Sequence, residues 1–176
     1  MSPAPLPDNP SDAPLPILLC GTAGRQLAIR QSEIAEILPL PRLKVVPEAP
    51  PILSGAFHLG GETVFVLPLA ELLGLSGPSE GSALYHHLLL LPPRAGEVRL
   101  AFLVERVMES VLAEPHLLAP GASFNDCVEG DLRFQGELVP LLNAGRLLAA
   151  EERARLAAFA DRSLARGAGF EPRGRT

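Results

Sequence analysis

Apolar and polar residues alternate in short runs along most of this chain, and Gly or Pro closes almost every run. That pattern predicts short strands joined by tight turns. Leu15–Cys20 and Arg25–Arg30 read as two strands around a Gly-Thr-Ala-Gly turn. Gln31–Leu38 changes to helical spacing, with Ile34, Ile37 and Leu38 on one face, and stops before Pro39. Leu43–Val46 reads as a short strand, and Pro47, Pro50 and Pro51 force an extended corner after it. Ile52–Leu59 and Thr63–Leu67 form a hairpin across Gly60-Gly61, where a tight loop needs positive φ. Pro68 interrupts the second strand near its end, and Ala70–Leu73 turns helically before Gly74.

Past the Gly/Ser/Pro connector Gly77–Ser82, the order of elements begins again. Leu84–Leu91 and Val98–Val104 read as strands, and Val104–Leu112 takes helical spacing through Val104, Val107, Met108 and Val111. Ala113–Phe124 is a Pro-bearing loop, and Val128–Phe134 pairs with Leu138–Leu142 across Gln135-Gly136. Asn143 to about Arg166 is an amphipathic helix with no breaker before Gly167.

The recurrence has a fixed spacing. Ala28, Ile34 and Glu36 correspond to Ala101, Val107 and Glu109 at an offset of 73. Gly55, Gly61, Glu62, Val64 and Leu67 correspond to Gly130, Gly136, Glu137, Val139 and Leu142 at an offset of 75. A duplicated unit of this size buries its own sheet poorly, so two small barrels packed together are expected, with a groove where they meet. The expected organisation is a Pro-rich disordered lead-in over 1–14 and one domain over 15–166. Within that domain lie two barrel-like subdomains, about 15–80 and 84–142, then the C-terminal helix; 167–176 is a flexible tail.

Composition narrows the function. The chain has 176 residues, 47% of them hydrophobic and 20% charged, with a net charge of −5. That balance suits a folded protein and argues against a nucleic-acid surface, whose footprint is a basic stripe. Residues 151–176 carry six Arg against four acids, interleaved as on a solvated face and not as a lipid anchor. The N-terminus lacks both an early cation and an unbroken apolar stretch, so no signal peptide is expected. No run approaches the ~20 apolar residues that span a bilayer. A cytoplasmic protein without direct membrane insertion is expected. Cys20 and Cys127 stand outside any Cys/His cluster and read as two small buried hydrophobes.

Chemistry is scarce. His86 and His87 are adjacent on a strand, so their side chains point to opposite faces and cannot share a metal. His58 and His116 have no second ligand at strand or helix spacing. Glu33 and Glu36 read as a solvated helical pair, and no phosphate loop, nucleophile elbow or zinc motif occurs. No enzyme activity, metal or cofactor is expected. With one Tyr, no Trp and seven Phe, any partner groove should be aliphatic and suited to a helix laid lengthwise.

Val46-Pro-Glu-Ala-Pro-Pro-Ile-Leu-Ser-Gly55, running on to His58-Leu-Gly-Gly61, resembles the signature of the CheW coupling-protein family of bacterial chemotaxis. Leu27–Leu38, Phe102–Val111 and Leu141–Ala158 are similar to further segments of that family, in the right order. The resemblance implies a mainly β fold of two pseudo-symmetric five-stranded barrel-like subdomains. It implies a non-enzymatic adaptor that couples the cytoplasmic tip of a methyl-accepting chemoreceptor to the regulatory domain of a CheA-type histidine kinase. Ile34, Glu36, Gly55, Val104 and Val107 fall on positions the family uses for partner contact or for framing it. The pattern departs at the hairpin, where the family's Asn and Arg are His58 and Gly60, and its Pro and Asp are Phe65 and Pro68. Loss of that Arg removes a guanidinium able to hold a partner carboxylate. A divergent scaffold that serves another motility or phosphorelay pathway and binds one of the two partners is the alternative.

Overall fold

The computed structural model describes residues 13–78, 83–123 and 126–167. The N-terminal lead-in up to residue 12, the end of the connector and the tail beyond 167 lie outside the described residues. Among the described residues, eleven strands build two sheets. The first half supplies β1 (Leu15–Thr22), β2 (Arg25–Arg30), β3 (Glu36–Pro39), β4 (Gly55–Leu59) and β5 (Glu62–Pro68). The short helix α1 (Leu69–Leu72) follows. The second half supplies β6 (His87–Leu90), β7 (Arg99–Val104), β8 (Arg106–Ala113), the two-residue β9 (His116–Leu117), β10 (Val128–Phe134) and β11 (Glu137–Leu142). Helix α2 (Ala150–Gly167) closes the described chain.

Each sheet takes strands from both halves. Sheet A runs β8-β1-β2-β11-β10-β9 and sheet B runs β3-β6-β7-β5-β4. The boundary near residues 80–84 therefore does not separate two bodies, as the subdomain limits 15–80 and 84–142 require; each half gives its first hairpin to one sheet and the rest to the other. The duplication is nonetheless faithful at the level of register. Leu141 lies opposite Ala28 in the parallel pair β11·β2, and the equivalent Val66 lies opposite Ala101 in the parallel pair β5·β7. Leu19 faces Ala28 and Leu90 faces Ala101; Ile17 faces Val111 and Leu88 faces Leu38.

Strand alternation sorts the apolar residues into three cores. One face of sheet A buries Ile17, Leu19, Ala28, Leu132, Val139 and Leu141. One face of sheet B buries Leu88, Leu90, Ala101, Phe57, Val64 and Val66, the counterparts of those six residues one for one. The opposite faces meet in a central seam holding Leu18, Cys20, Leu27 and Ile29 against Phe65, Leu67, Leu89 and Phe102. Burying each such side chain contributes about 1.5–3 kcal/mol. The expected groove between barrels is thus largely a packed core. Burial raises the Cys20 thiol to about 12, so Cys20 is an inert part of the seam.

The expected helix Gln31–Leu38 is a single 3-10 turn at Gln31–Glu33 followed by a strand, and the expected helix Val104–Leu112 is a strand. Glu36–Pro39 is β3 and Arg106–Ala113 is β8, joined to β2 and β7 by short crossings from one sheet to the other. Along each crossing segment the apolar residues change core: Ile34 and Val107 pack on the seam, Leu38 and Val111 on the outer cores. A register shift between β1 and β8, at Leu18/Cys20, marks the change of face in the second segment. Two cores served by one segment mimic a helical period. The hairpins fall where expected: Gly60 and Gly61 take φ of 57° and 87°, and Gln135 and Gly136 take 50° and 84°. Leu43–Val46 contributes a single bridge, Lys44 to Ala56.

Candidate functional site

The two crossings, Arg30–Glu36 and Val104–Arg106, carry the chain over the seam, and the expected contact residues gather around them. Ile34 and Val107, mutual counterparts, are half-buried on the seam, and Glu36 is exposed at the start of β3. Gln31 beside Ile34 accepts a 2.7 Å hydrogen bond from the Ser110 hydroxyl of β8, which brings the first crossing onto the strand that bears Val107. Ile34 and Val107 thus leave part of their apolar surface open at the crossings, and Glu36 adds an exposed carboxylate on β3.

Two other expected residues are not on a surface. Val104 is fully buried in the seam and cannot touch a partner directly. Gly55 is buried where the 43–44 segment crosses β4: a Cβ there would stand 2.9 Å from the Lys44 carbonyl oxygen and 3.0 Å from Leu43 Cβ, and φ is +155°. Its counterpart Gly130 is held in the same way beneath β9, with a Cβ position 2.5 Å from the His116 carbonyl oxygen. Both glycines serve close backbone approach.

A carboxylate network without any local signal in the chain's pattern ties the first crossing to the end of β11. Arg30 pairs with Glu129, and Asn143 donates to the other Glu129 oxygen at 3.0 Å. Glu33, read as solvated, is half-buried and accepts the Ala144 backbone N–H at 3.2 Å. Burial raises its carboxyl above the usual range, and the neighbouring Glu129 charge adds to that, against the Ala144 hydrogen bond and Arg30. Glu33 also lines a cavity of about 190 Å³ together with Arg94, Glu97, Leu148 and Arg153. No cluster of three metal-ligating side chains occurs among the described residues. His58 Nδ1 lies 3.3 Å from the Thr63 hydroxyl, and His87 starts β6.

Where the seam reaches solvent beside β11, a cleft of about 510 Å³ remains, lined by Arg25, Leu27, Leu73, Leu75, Leu138 and Leu142 among others. On the side of sheet B the seam is closed by α2, which inserts Leu156, Phe159 and Ala160. The Phe159 ring meets Phe65 edge-on at 6.2 Å.

A family model described as the CheW-like domain matches residues 16–152, from the second residue of β1 into the start of α2. The chain belongs to the CheW-like domain family. Among solved structures, the CheW-like fold is shared with the scaffolding protein TtCheW of Thermoanaerobacter tengcongensis. The superposition gives a TM-score of 0.67 at 14% sequence identity and covers 85% of this chain and 96% of that one. No curated protein sequence matches. The mainly β, two-sheet architecture with a C-terminal helix is the one the family resemblance calls for. No helix among the described residues is long and apolar enough to cross a membrane.

Proposed function

We propose that this CheW-like chain is a non-enzymatic adaptor that holds a chemoreceptor cytoplasmic tip and a histidine kinase regulatory domain together in the cytoplasm. The observation that carries the reading is the family match over residues 16–152, nearly the whole two-sheet body. The neighbour TtCheW is itself described as a scaffolding protein. An adaptor of this kind acts by simultaneous docking. Once one partner is held, the second contact is effectively intramolecular, at a local concentration approaching ~mM for matched geometry. Ile34, Glu36 and Val107 are the proposed contact residues, with Val104 in the seam beneath the crossings, while Gly55 serves the close approach of the 43–44 segment to β4.

The test immobilises a receptor tip and asks whether it captures the kinase regulatory domain only when this chain is present. Capture that depends on the chain supports the adaptor. Binding of one partner alone points to the second reading, a scaffold in another pathway, which the exchange of the family Arg for Gly60 favours.

A further inference from the structure

The cavity beside Glu33 lies where three segments meet: the first crossing, the β6–β7 loop and the turn that leads from β11 into α2. Leu91, Val98, Leu100 and Leu148 give it apolar walls. Its charged lining has no counterpart in the other half of the duplication. Arg106 stands at the position equivalent to Glu33, and Ala70 at the position equivalent to Gly145. The β6–β7 connection that carries Arg94 and Glu97 is also longer than β1–β2 by two residues, counted between the equivalent pairs Leu90·Ala101 and Leu19·Ala28. The duplicated fold does not require these side chains, so they are an addition local to this cavity.

The loop that brings Arg94 is held in shape. Pro92-Pro93 restricts its entry, and the Glu97 N–H closes a turn on the Arg94 carbonyl oxygen at 3.1 Å, with Gly96 at φ +74°. Arg153, in the first turn of α2, is spent on fixing the walls. It pairs with Glu97 at 3.4 Å and donates to the carbonyl oxygens of Leu148 and Gly145. Arg94 is uncommitted: its side chain makes no hydrogen bond or ion pair among the described residues. One of its terminal nitrogens would stand 2.9 Å from a Cβ at Gly145, so the glycine keeps that place open to the guanidinium.

Charge and size specify the occupant. Adjacent residues hold the two opposite charges: Glu33 accepts the Ala144 N–H at 3.2 Å, and Arg94 lies over Gly145. Among the described residues no ion pair joins Glu33 to Arg94. Arg30, the cation that acts on Glu33, is already paired with Glu129. The cavity thus presents one anion and one cation, each short of a countercharge, beside apolar walls. A molecule that carries both charges close together on a short apolar body satisfies both at once. A volume of about 190 Å³, roughly six water volumes at ~30 Å³ each, restricts that body to a few carbons.

We propose that this cavity binds a free α-amino acid with a small aliphatic side chain. Its carboxylate pairs with Arg94, its ammonium with Glu33, and its side chain rests against Leu91, Val98, Leu100 and Leu148. An occupant so placed ties the crossing that bears Ile34 to the turn before α2. The proposal does not depend on the adaptor reading.

The probe is L-leucine, titrated into the isotope-labelled full-length protein, with isocaproate and isoamylamine as analogues that lack the ammonium and the carboxylate respectively. Amide NMR shifts centred on Ala144 and Gly145 are expected, saturating below ~10 mM. Each analogue should bind about tenfold or more weakly, the worth of one charge-assisted contact. Arg94→Ala, a change at an exposed side chain without partners, should bring leucine down to the affinity of isoamylamine and leave isoamylamine itself unmoved. Glu33→Gln keeps an acceptor for Ala144 and should bring leucine down to the affinity of isocaproate. Thermal melts check that both variants are folded; if Glu33→Gln is not, the analogue series and Arg94→Ala decide. No saturation up to ~10 mM, or shifts centred elsewhere, overturns the proposal. Equal affinity for all three compounds would mean apolar filling alone and overturns it too, as does an unchanged leucine affinity in Arg94→Ala.

Discussion

Ala28 of β2 lies directly opposite Leu141 of β11, so a strand near the start of the chain is paired in parallel with one near its end. The same contact recurs between Ala101 and Val66 on the other sheet. Parallel pairing cannot be made by a tight turn, and here it is supplied by exchanging hairpins between halves. Neither half can complete a sheet without the other.

Small residues at these paired positions leave room for the outer cores. Ala28→Leu and Ala101→Leu should therefore each destabilise the fold by about 1–3 kcal/mol, through overpacking of equivalent sites. Chemical denaturation should show a lower midpoint with an unchanged slope for both. Full stability in one of the pair would show that the two cores are not equivalent.

Gly55→Ala and Gly130→Ala should also act on stability, since each new Cβ meets backbone carbonyl oxygen at 2.9 Å and 2.5 Å respectively. A loss of about 2 kcal/mol or more is expected for each. Partner binding by the folded fraction should be unaltered. A Gly55→Ala variant with parent Tm and lost binding would return Gly55 to the contact surface.

Glu33→Gln keeps an oxygen to accept the Ala144 N–H while removing a charge that burial disfavours. The folded-state pKa is raised above the unfolded value, so ionisation costs the native state stability at neutral pH, and the parent recovers it as pH falls through the folded pKa. The variant should be at least as stable as the parent at pH 7, with the difference shrinking as pH is lowered. Melting curves across that range check the sign; a variant less stable at pH 7 would show that the hydrogen bond needs the full charge.

Glu36→Arg changes an exposed residue of β3 and should leave Tm within the equivalent of about 0.5 kcal/mol while weakening partner capture. Ile34→Asp places a charge against the seam and should lower both stability and capture. Gly60→Arg restores the family guanidinium. Its φ of 57° is tolerable for a long side chain because Gln135 holds 50° at the equivalent place, and tighter binding of one partner is expected.

The turns were the most legible feature of the sequence. Gly60-Gly61 and Gln135-Gly136 mark loops whose positive φ has few other solutions, and the offsets of 73 and 75 identified equivalent residues correctly. Strand exchange was not legible, because residues such as Ile17 and Leu88 alternate identically whichever sheet receives them. Gln31–Leu38 and Val104–Leu112 read as helices because each segment serves the seam first and an outer core next. The family position of Val104 points to the contact face, and its burial is hidden for the same reason. Glu33 and Glu129 carried no local sign of burial, since their partners Ala144, Arg30 and Asn143 come from distant segments.

The adaptor reading is tested most directly by measuring the mass of the species formed when this chain is mixed with a receptor cytoplasmic tip and a kinase regulatory domain. Light scattering on a size-exclusion column should show one peak containing all three, lost with Glu36→Arg. Separate binary peaks, or a peak from which this chain is missing, would contradict it.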